Sequence, residues 1–123
     1  MNARLFVIIL PLLFSCIFNN DDVNSYRIRF FCNGVDRKAS NMAIIGNNNY
    51  EYDNINNYIG KTKDGTPYMY CDISEEIYKD IQSIEISVAA AGRIYIDIQK
   101  NNKTIIIVAD EVTNAGAHSY KIK

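Results

Sequence analysis

Arg93-Ile94-Tyr95-Ile96-Asp97-Ile98-Gln99 leads through Lys100-Asn101-Asn102-Lys103 into Thr104-Ile105-Ile106-Ile107-Val108-Ala109. Two runs rich in β-branched residues flank a polar tetrapeptide, which is the pattern of a hairpin. Asparagine tolerates positive φ, so Asn101-Asn102 suits a two-residue type I′ turn. That turn sets Ile98 opposite Ile105, Ile96 opposite Ile107 and Ile94 opposite Ala109, leaving one face wholly apolar. The other face pairs Tyr95 with Val108, Asp97 with Ile106 and Gln99 with Thr104, and is mixed. A single hairpin with an apolar face must bury it against something else.

Working outward, the same alternation recurs. Tyr26, Ile28, Phe30 and Cys32 share one face of a strand, with Arg27 and Arg29 opposite and a turn at Asn33-Gly34. Met42 to Ile45 is a short apolar run, Asn47-Asn48-Asn49 breaks it, and Tyr50 to Tyr52 reads as another brief strand. Gly60 to Pro67 is turn chemistry, and Tyr68 to Ile73 is a strand. Ser74-Glu75-Glu76 can cap and open one or two helical turns through Lys79. Ser83 to Ala91 places Ile84, Ile86, Val88 and Ala90 on one face, and Ala117 to Ile122 supplies a final strand. Six to eight short strands with one small helix predict an all-β, single-domain antiparallel β-sandwich over residues 26–123.

The N terminus carries a different signal. Arg4, an apolar run from Leu5 to Phe14, Ser15 and Cys16 read as a bacterial lipoprotein signal peptide over residues 1–15. The run is too short to span a bilayer, which takes about twenty apolar residues. Leu13-Phe14-Ser15-Cys16 resembles a lipobox, with Phe14 larger than the usual residue at its position. Ordinary signal cleavage after Ser15 would place the bulky Leu13 where a small residue is wanted. Acylation of Cys16 would hold the protein on a membrane surface, since two acyl chains anchor stably where one does not. Residues 16–25 are mostly short and polar, which suits a tether.

Composition narrows the partners. From Cys16 onward there are twelve Lys and Arg against fourteen acidic residues, a net charge of −2. Binding to nucleic acid needs a clustered basic surface, so this balance argues against it. The chain holds 20 Ile and 15 Asn, two Pro and no Trp; Ile favours strands and Asn favours turns. Cys32 and Cys71 both fall on apolar strand faces. They are either a disulfide, permitted in an oxidising compartment, or two buried thiols that pack as small hydrophobes.

No catalytic constellation is visible. The chain has one histidine, His118, in line with Tyr120 and Ile122 as a strand residue. It lacks HExxH, CxxC, GxSxG, phosphate-loop and dinucleotide patterns. No cofactor and no metal site is expected. Glu75-Glu76 and Asp110-Glu111 are adjacent acidic pairs that read as solvated charge. Scattered carboxylates such as Asp97 and Glu85 are the residues a small envelope hydrolase would have to use. The stretch from Asn47 to Tyr58 mixes Asn49 and Asp53 with Tyr50, Tyr52 and Tyr58, a composition shared with binding loops. Its oxygen ligands fail the EF-hand spacing, because Ile55 follows Asp53 where a ligand is needed.

Tyr26-Arg27-Ile28-Arg29-Phe30-Phe31 just after an anchored N terminus, and Ser87-Val88-Ala89-Ala90-Ala91-Gly92-Arg93-Ile94-Tyr95-Ile96-Asp97 running into a hairpin, resemble segments of MmpS-type small exported proteins. The resemblance covers about 35 residues in two pieces, with none between Asn33 and Asp80. It implies an immunoglobulin-like sandwich and accessory work beside membrane transporters, and it carries over no site residue. The expectation is a membrane-tethered, non-enzymatic binding module of the cell envelope, facing the periplasm or exterior, with an envelope protein as partner. The rivals are a secreted structural β-domain without a lipid anchor and a small hydrolase.

Overall fold

The computed structural model describes residues 23–33, 35, 40–52 and 57–122. The signal segment, Cys16 and Asp53 lie outside the described residues. The elements run β1 (Tyr26–Cys32), β2 (Asn41–Gly46), a 3-10 turn (Asn47–Asn49), β3 (Tyr58–Lys61), β4 (Pro67–Ile73) and α1 (Glu75–Asp80). They continue with β5 (Ile81–Val88), β6 (Gly92–Lys100), β7 (Lys103–Val112) and β8 (Gly116–Lys121). Two antiparallel sheets result, a five-stranded one in the order β3-β4-β1-β6-β7 and a three-stranded one in the order β2-β5-β8. The all-β sandwich is therefore observed. Its likeness to an immunoglobulin domain lies in two stacked antiparallel sheets. The strand order differs from the 1-2-5-4 and 3-6-7 sheets of a constant-type domain.

Period-two alternation accounts for the core. Ile28, Phe30, Met69, Cys71, Ile96 and Ile98 of the larger sheet meet Met42, Ile44, Ile81, Ile84 and Ile86 of the smaller one in a single buried cluster. Ser74 caps α1 by accepting from the Ile77 N–H at 3.2 Å, with Glu75 and Glu76 in the first turn and Lys79 in the last. This short helix carries the chain from one sheet to the other. Its Tyr78 ring stacks on Tyr26 of β1, with centroids 4.2 Å apart and planes 11° apart.

The hairpin turn forms as expected: Asn101 and Asn102 have φ of 51° and 70°, and Lys100 faces Lys103. The chain preceding β1 fastens this turn, because the Asn101 N–H donates to the Ser25 carbonyl at 2.8 Å and the Ser25 N–H donates to Asn101 Oδ1 at 2.9 Å. Beyond the first two pairs the expected register is wrong by one residue. Gln99 faces Thr104, but the next residue of β6, Ile98, faces Ile106 rather than Ile105. Ile105 is thus the extra residue of a β-bulge on β7, and every side chain beyond it changes face. Ile106 and Val108 pack against the core, while Ile105 and Ile107 are 43% and 59% exposed.

Of the two readings of Cys32 and Cys71, disulfide or buried thiols, the strand register favours the thiols. Both cysteines are free thiols. In the β1/β4 register Cys71 faces Ile28, four residues from Cys32, or about 13 Å along a strand. A disulfide needs Cα atoms within roughly 7 Å. Burial pushes the Cys71 thiol up to about 12, so the group is kept protonated and inert. Alkylation without prior reduction should therefore label both Cys32 and Cys71 in denaturant, and spare Cys71 in the native protein; intact mass reads both outcomes. A native chain two hydrogens lighter, with neither thiol labelled, would contradict this register.

Candidate binding face

The alternation that buries isoleucine leaves the outer face of the five-stranded sheet to the other half of each strand. On a solvated face those positions are normally polar. Here they carry Tyr58 on β3, Tyr68 and Tyr70 on β4, Phe31 on β1 and Tyr95 on β6. The rings form a continuous row across four strands. Centroids are 5.7 Å apart for Tyr58–Tyr70, 5.8 Å for Tyr70–Tyr68, 5.1 Å for Tyr68–Phe31 and 5.5 Å for Phe31–Tyr95. Tilted and edge-on contacts at this spacing are the favourable aromatic geometries. Gly60 makes one of them possible: it faces Tyr68 across β3/β4, and a Cβ there would sit 3.0 Å from the Tyr68 ring.

Two arginines thread through this row, and both are committed to carboxylates. Arg27 donates Nε and Nη2 to the two oxygens of Asp72 at 2.7 and 3.1 Å, with its guanidinium 4.1 Å from the centre of the Tyr70 ring. Arg29 donates in the same forked manner to Asp97 at 2.9 and 2.5 Å, lying 5.1 Å from Phe31 and 5.2 Å from Tyr68. Asp97 has no exposure to solvent and the Arg29 side chain only 20%. The hydrogen bond that Arg29 donates to Asp97 raises the Arg29 pKa further above its ordinary value, so the guanidinium stays charged. Burial, and secondarily Asp97, raises Tyr95. The face is thus aromatic with its central charges cancelled pairwise.

The row runs into a cavity of about 740 Å³ at the end of the sheet, lined by Phe31, Thr66, Pro67, Tyr95 and Ala109 among others. Ala109 faces Tyr95 across β6/β7, and its small side chain leaves the space open. Arg93 and Glu111 face each other at the cavity margin. Among the three described arginines, Arg93 alone has no carboxylate within ion-pair distance. This volume falls in the range of small-molecule and side-chain pockets, which are mainly apolar with a few polar groups.

Of the residues read from the sequence as one binding loop, the described ones, Asn49, Tyr50, Tyr52 and Tyr58, are divided between two places. Asn49 sits in the 3-10 turn with φ of 60°. Tyr50 packs edge-on to Tyr52 at 5.0 Å. The Tyr52 hydroxyl donates to the Asp80 carboxylate at the end of α1, a bond that raises Tyr52 to about 12. Only Tyr58 reaches the aromatic row. His118 is a half-buried residue of β8 whose Nε2 lies 3.0 Å from the Asn114 carbonyl oxygen. Glu85 faces solvent on the smaller sheet while Asp97 lies on the outer face of the larger one. Two layers of sheet, about 10 Å apart, separate these carboxylates, so they cannot converge on one substrate. Among the described residues, no group of three or more His, Cys, Asp or Glu side chains is placed to hold a metal ion. Phe31, Tyr68, Tyr70 and Tyr95 were not singled out from the sequence as site residues. The signal that could have found them is aromatic residues at the outward positions of strands.

Comparison with known proteins finds no matching family model, no matching curated protein and no matching solved structure.

The two ion pairs should differ sharply in energetic weight. Arg29→Met leaves a buried, unpaired Asp97 and is expected to cost about 3–5 kcal/mol. Arg27→Met, removing a half-exposed pair, should cost about 1 kcal/mol or less. Urea denaturation of both variants, and of Arg29→Met with Asp97→Leu, checks this. The double variant should recover most of the loss, because no unpaired charge is then left inside.

Proposed function

We propose that this chain is an exported lipoprotein, tethered through Cys16 and acting as a binding module of the cell envelope, with the outer face of its five-stranded sheet as the recognition surface. The observation that carries the reading is the aromatic row from Tyr58 to Tyr95 ending in an open cavity. Tyr58 is exposed, Phe31, Tyr70 and Tyr95 are half-buried, and Tyr68 is buried among them; a sheet face with no second sheet against it gains nothing in solubility from these rings, and partly exposed apolar surface shared by neighbouring residues marks interaction sites. Tyrosine offers large contact area at low entropic cost and keeps a polar tip for hydrogen bonding. The pairing of Arg27 and Arg29 with carboxylates disfavours phosphate-rich partners and suits an apolar or aromatic group entering beside Phe31 and Tyr95.

Lipidation and recognition are separable and are tested separately. The intact mass of protein from the membrane fraction should correspond to a chain starting at an acylated Cys16, and Cys16→Ala should abolish that species. An unlipidated chain cut elsewhere would instead favour a secreted domain. For recognition, a photo-cross-linking residue at Tyr58 or Tyr95 in intact cells should capture the same partner, and one at Glu85 on the opposite sheet should not. Tyr95→Ala should weaken capture from the Tyr58 position about tenfold or more, as loss of an aromatic anchor does. Equal capture from all three positions would remove the face from consideration.

A further inference from the structure

The cavity at the end of the five-stranded sheet has a floor and a rim of different chemistry. Phe31 faces Tyr95 across β1 and β6, and Tyr95 faces Ala109 across β6 and β7, so these three stand in one row on the outer face. Two residues further toward the end of the sheet, Arg93 faces Glu111. No register shift falls between the two pairs, and a step of two along a strand keeps the face, so Arg93 and Glu111 point outward as Tyr95 does. All five residues line the same space of about 740 Å³. Asp110 lines it too, but it belongs to the other face of β7 and accepts the Tyr120 hydroxyl at 2.7 Å. The rim on the aromatic side therefore carries one guanidinium and one carboxylate. Among the described residues neither forms an ion pair, with the other or with a third group.

We infer that this cavity binds a free α-amino acid with an aromatic or large apolar side chain, its carboxylate on Arg93, its ammonium group on Glu111 and its side chain over Phe31, Tyr95 and Ala109. The inference rests on the reading of the outer face as the recognition surface and narrows its cavity end to a ligand class. Charge decides the head of the ligand. A carboxylate alone would sit beside Glu111 as a like charge, and an amine alone would sit beside Arg93; like charges oppose binding and complementary ones favour it. A zwitterion satisfies both groups. An α-amino acid carries its two charges on one carbon, and directly opposed strand residues have Cβ atoms about 5 Å apart, so one head reaches both. Within a peptide segment those charges are lost to amide bonds. The floor decides the side chain, because two rings and a methyl group offer apolar and aromatic contact with few polar groups, as small-molecule pockets do.

The test is equilibrium dialysis of labelled L-phenylalanine against the full chain in lipid nanodiscs, with empty nanodiscs as the blank. The expected result is one site per chain. Phenylpropionate, which lacks the ammonium group, and phenethylamine, which lacks the carboxylate, should each bind roughly tenfold more weakly or worse, the size of a lost charge-assisted hydrogen bond. Glycine, a head without a ring, should bind more weakly still. Arg93→Gln and Glu111→Gln should each cost roughly tenfold, and Ala109→Phe, which fills the floor, should abolish binding. All three side chains are exposed, so circular dichroism should show an unchanged fold. No binding of phenylalanine up to about 1 mM overturns the inference. So does phenylpropionate or phenethylamine binding as tightly as phenylalanine, or binding indifferent to all three substitutions. Capture of a partner from Tyr58 and Tyr95 by a chain that fails this dialysis would overturn the amino-acid ligand alone and leave the face as a recognition surface.

Discussion

The carboxylate of Asp97 is fully buried on a sheet face that points away from the core, and the arrangement of that face follows from keeping it satisfied. Arg29 reaches it from β1 with both forks of the guanidinium. Thr104 adds a 3.5 Å hydroxyl contact from β7. One ion pair thereby links the three strands β1, β6 and β7 on the side that the hydrophobic core does not touch. The aromatic rings around Arg29 keep water from the pair, and the guanidinium in turn lies against Phe31 and Tyr68. Buried ion pairs contribute little net stability compared with apolar replacements. Their contribution is positional: Arg29 can meet Asp97 only if β1 and β6 hold the register in which these two residues face each other.

The larger sheet is consequently covered on both sides, by isoleucine within and by rings and paired charges without, although only one side has another sheet against it. A two-sided sheet of this kind holds its aromatic face on a rigid backbone. The side chains of Tyr68 and Phe31 are fixed by neighbours rather than by a loop. Preorganised aromatic groups lose little freedom on binding. Tyr52, by contrast, lies outside the named strands, and its hydroxyl is committed to Asp80 on α1.

Much of the architecture was legible because period-two alternation is a direct consequence of strand geometry. The core residues Ile28, Phe30, Ile84, Ile86, Ile96 and Ile98 stand where alternation places them, and the Asn101-Asn102 turn and the Ser74 cap follow from local chemistry. The face was less legible, because Tyr68, Tyr70, Phe31 and Tyr95 belong to three different strands and meet only through the strand order β4-β1-β6. That order joins residues distant in sequence, and no local propensity encodes it. Cys32 and Cys71 show the same limit: each was rightly placed on a strand, yet whether two strand residues can touch is decided by register, which set them four positions apart.

The register of β7 is the clearest instance. Ile105, Ile106, Ile107 and Val108 are apolar at successive positions, so hydrophobic pattern cannot tell which alternate set should face the core. An unbulged hairpin would bury Ile105 and Ile107 and expose Ile106 and Val108 with almost equal gain in apolar area. The turn-proximal pairs, Lys100 with Lys103 and Gln99 with Thr104, are common to both registers. The far end of the strand differs: the inserted residue at Ile105 turns Val112 into the core together with Ile106 and Val108, whereas an unbulged strand would turn Val112 outward. The insertion also turns Ile107 and Ala109 to the outer face beside Asp97 and Tyr95. A strand apolar on both faces can fill a core and still present an apolar edge, and the bulge determines which residues do each.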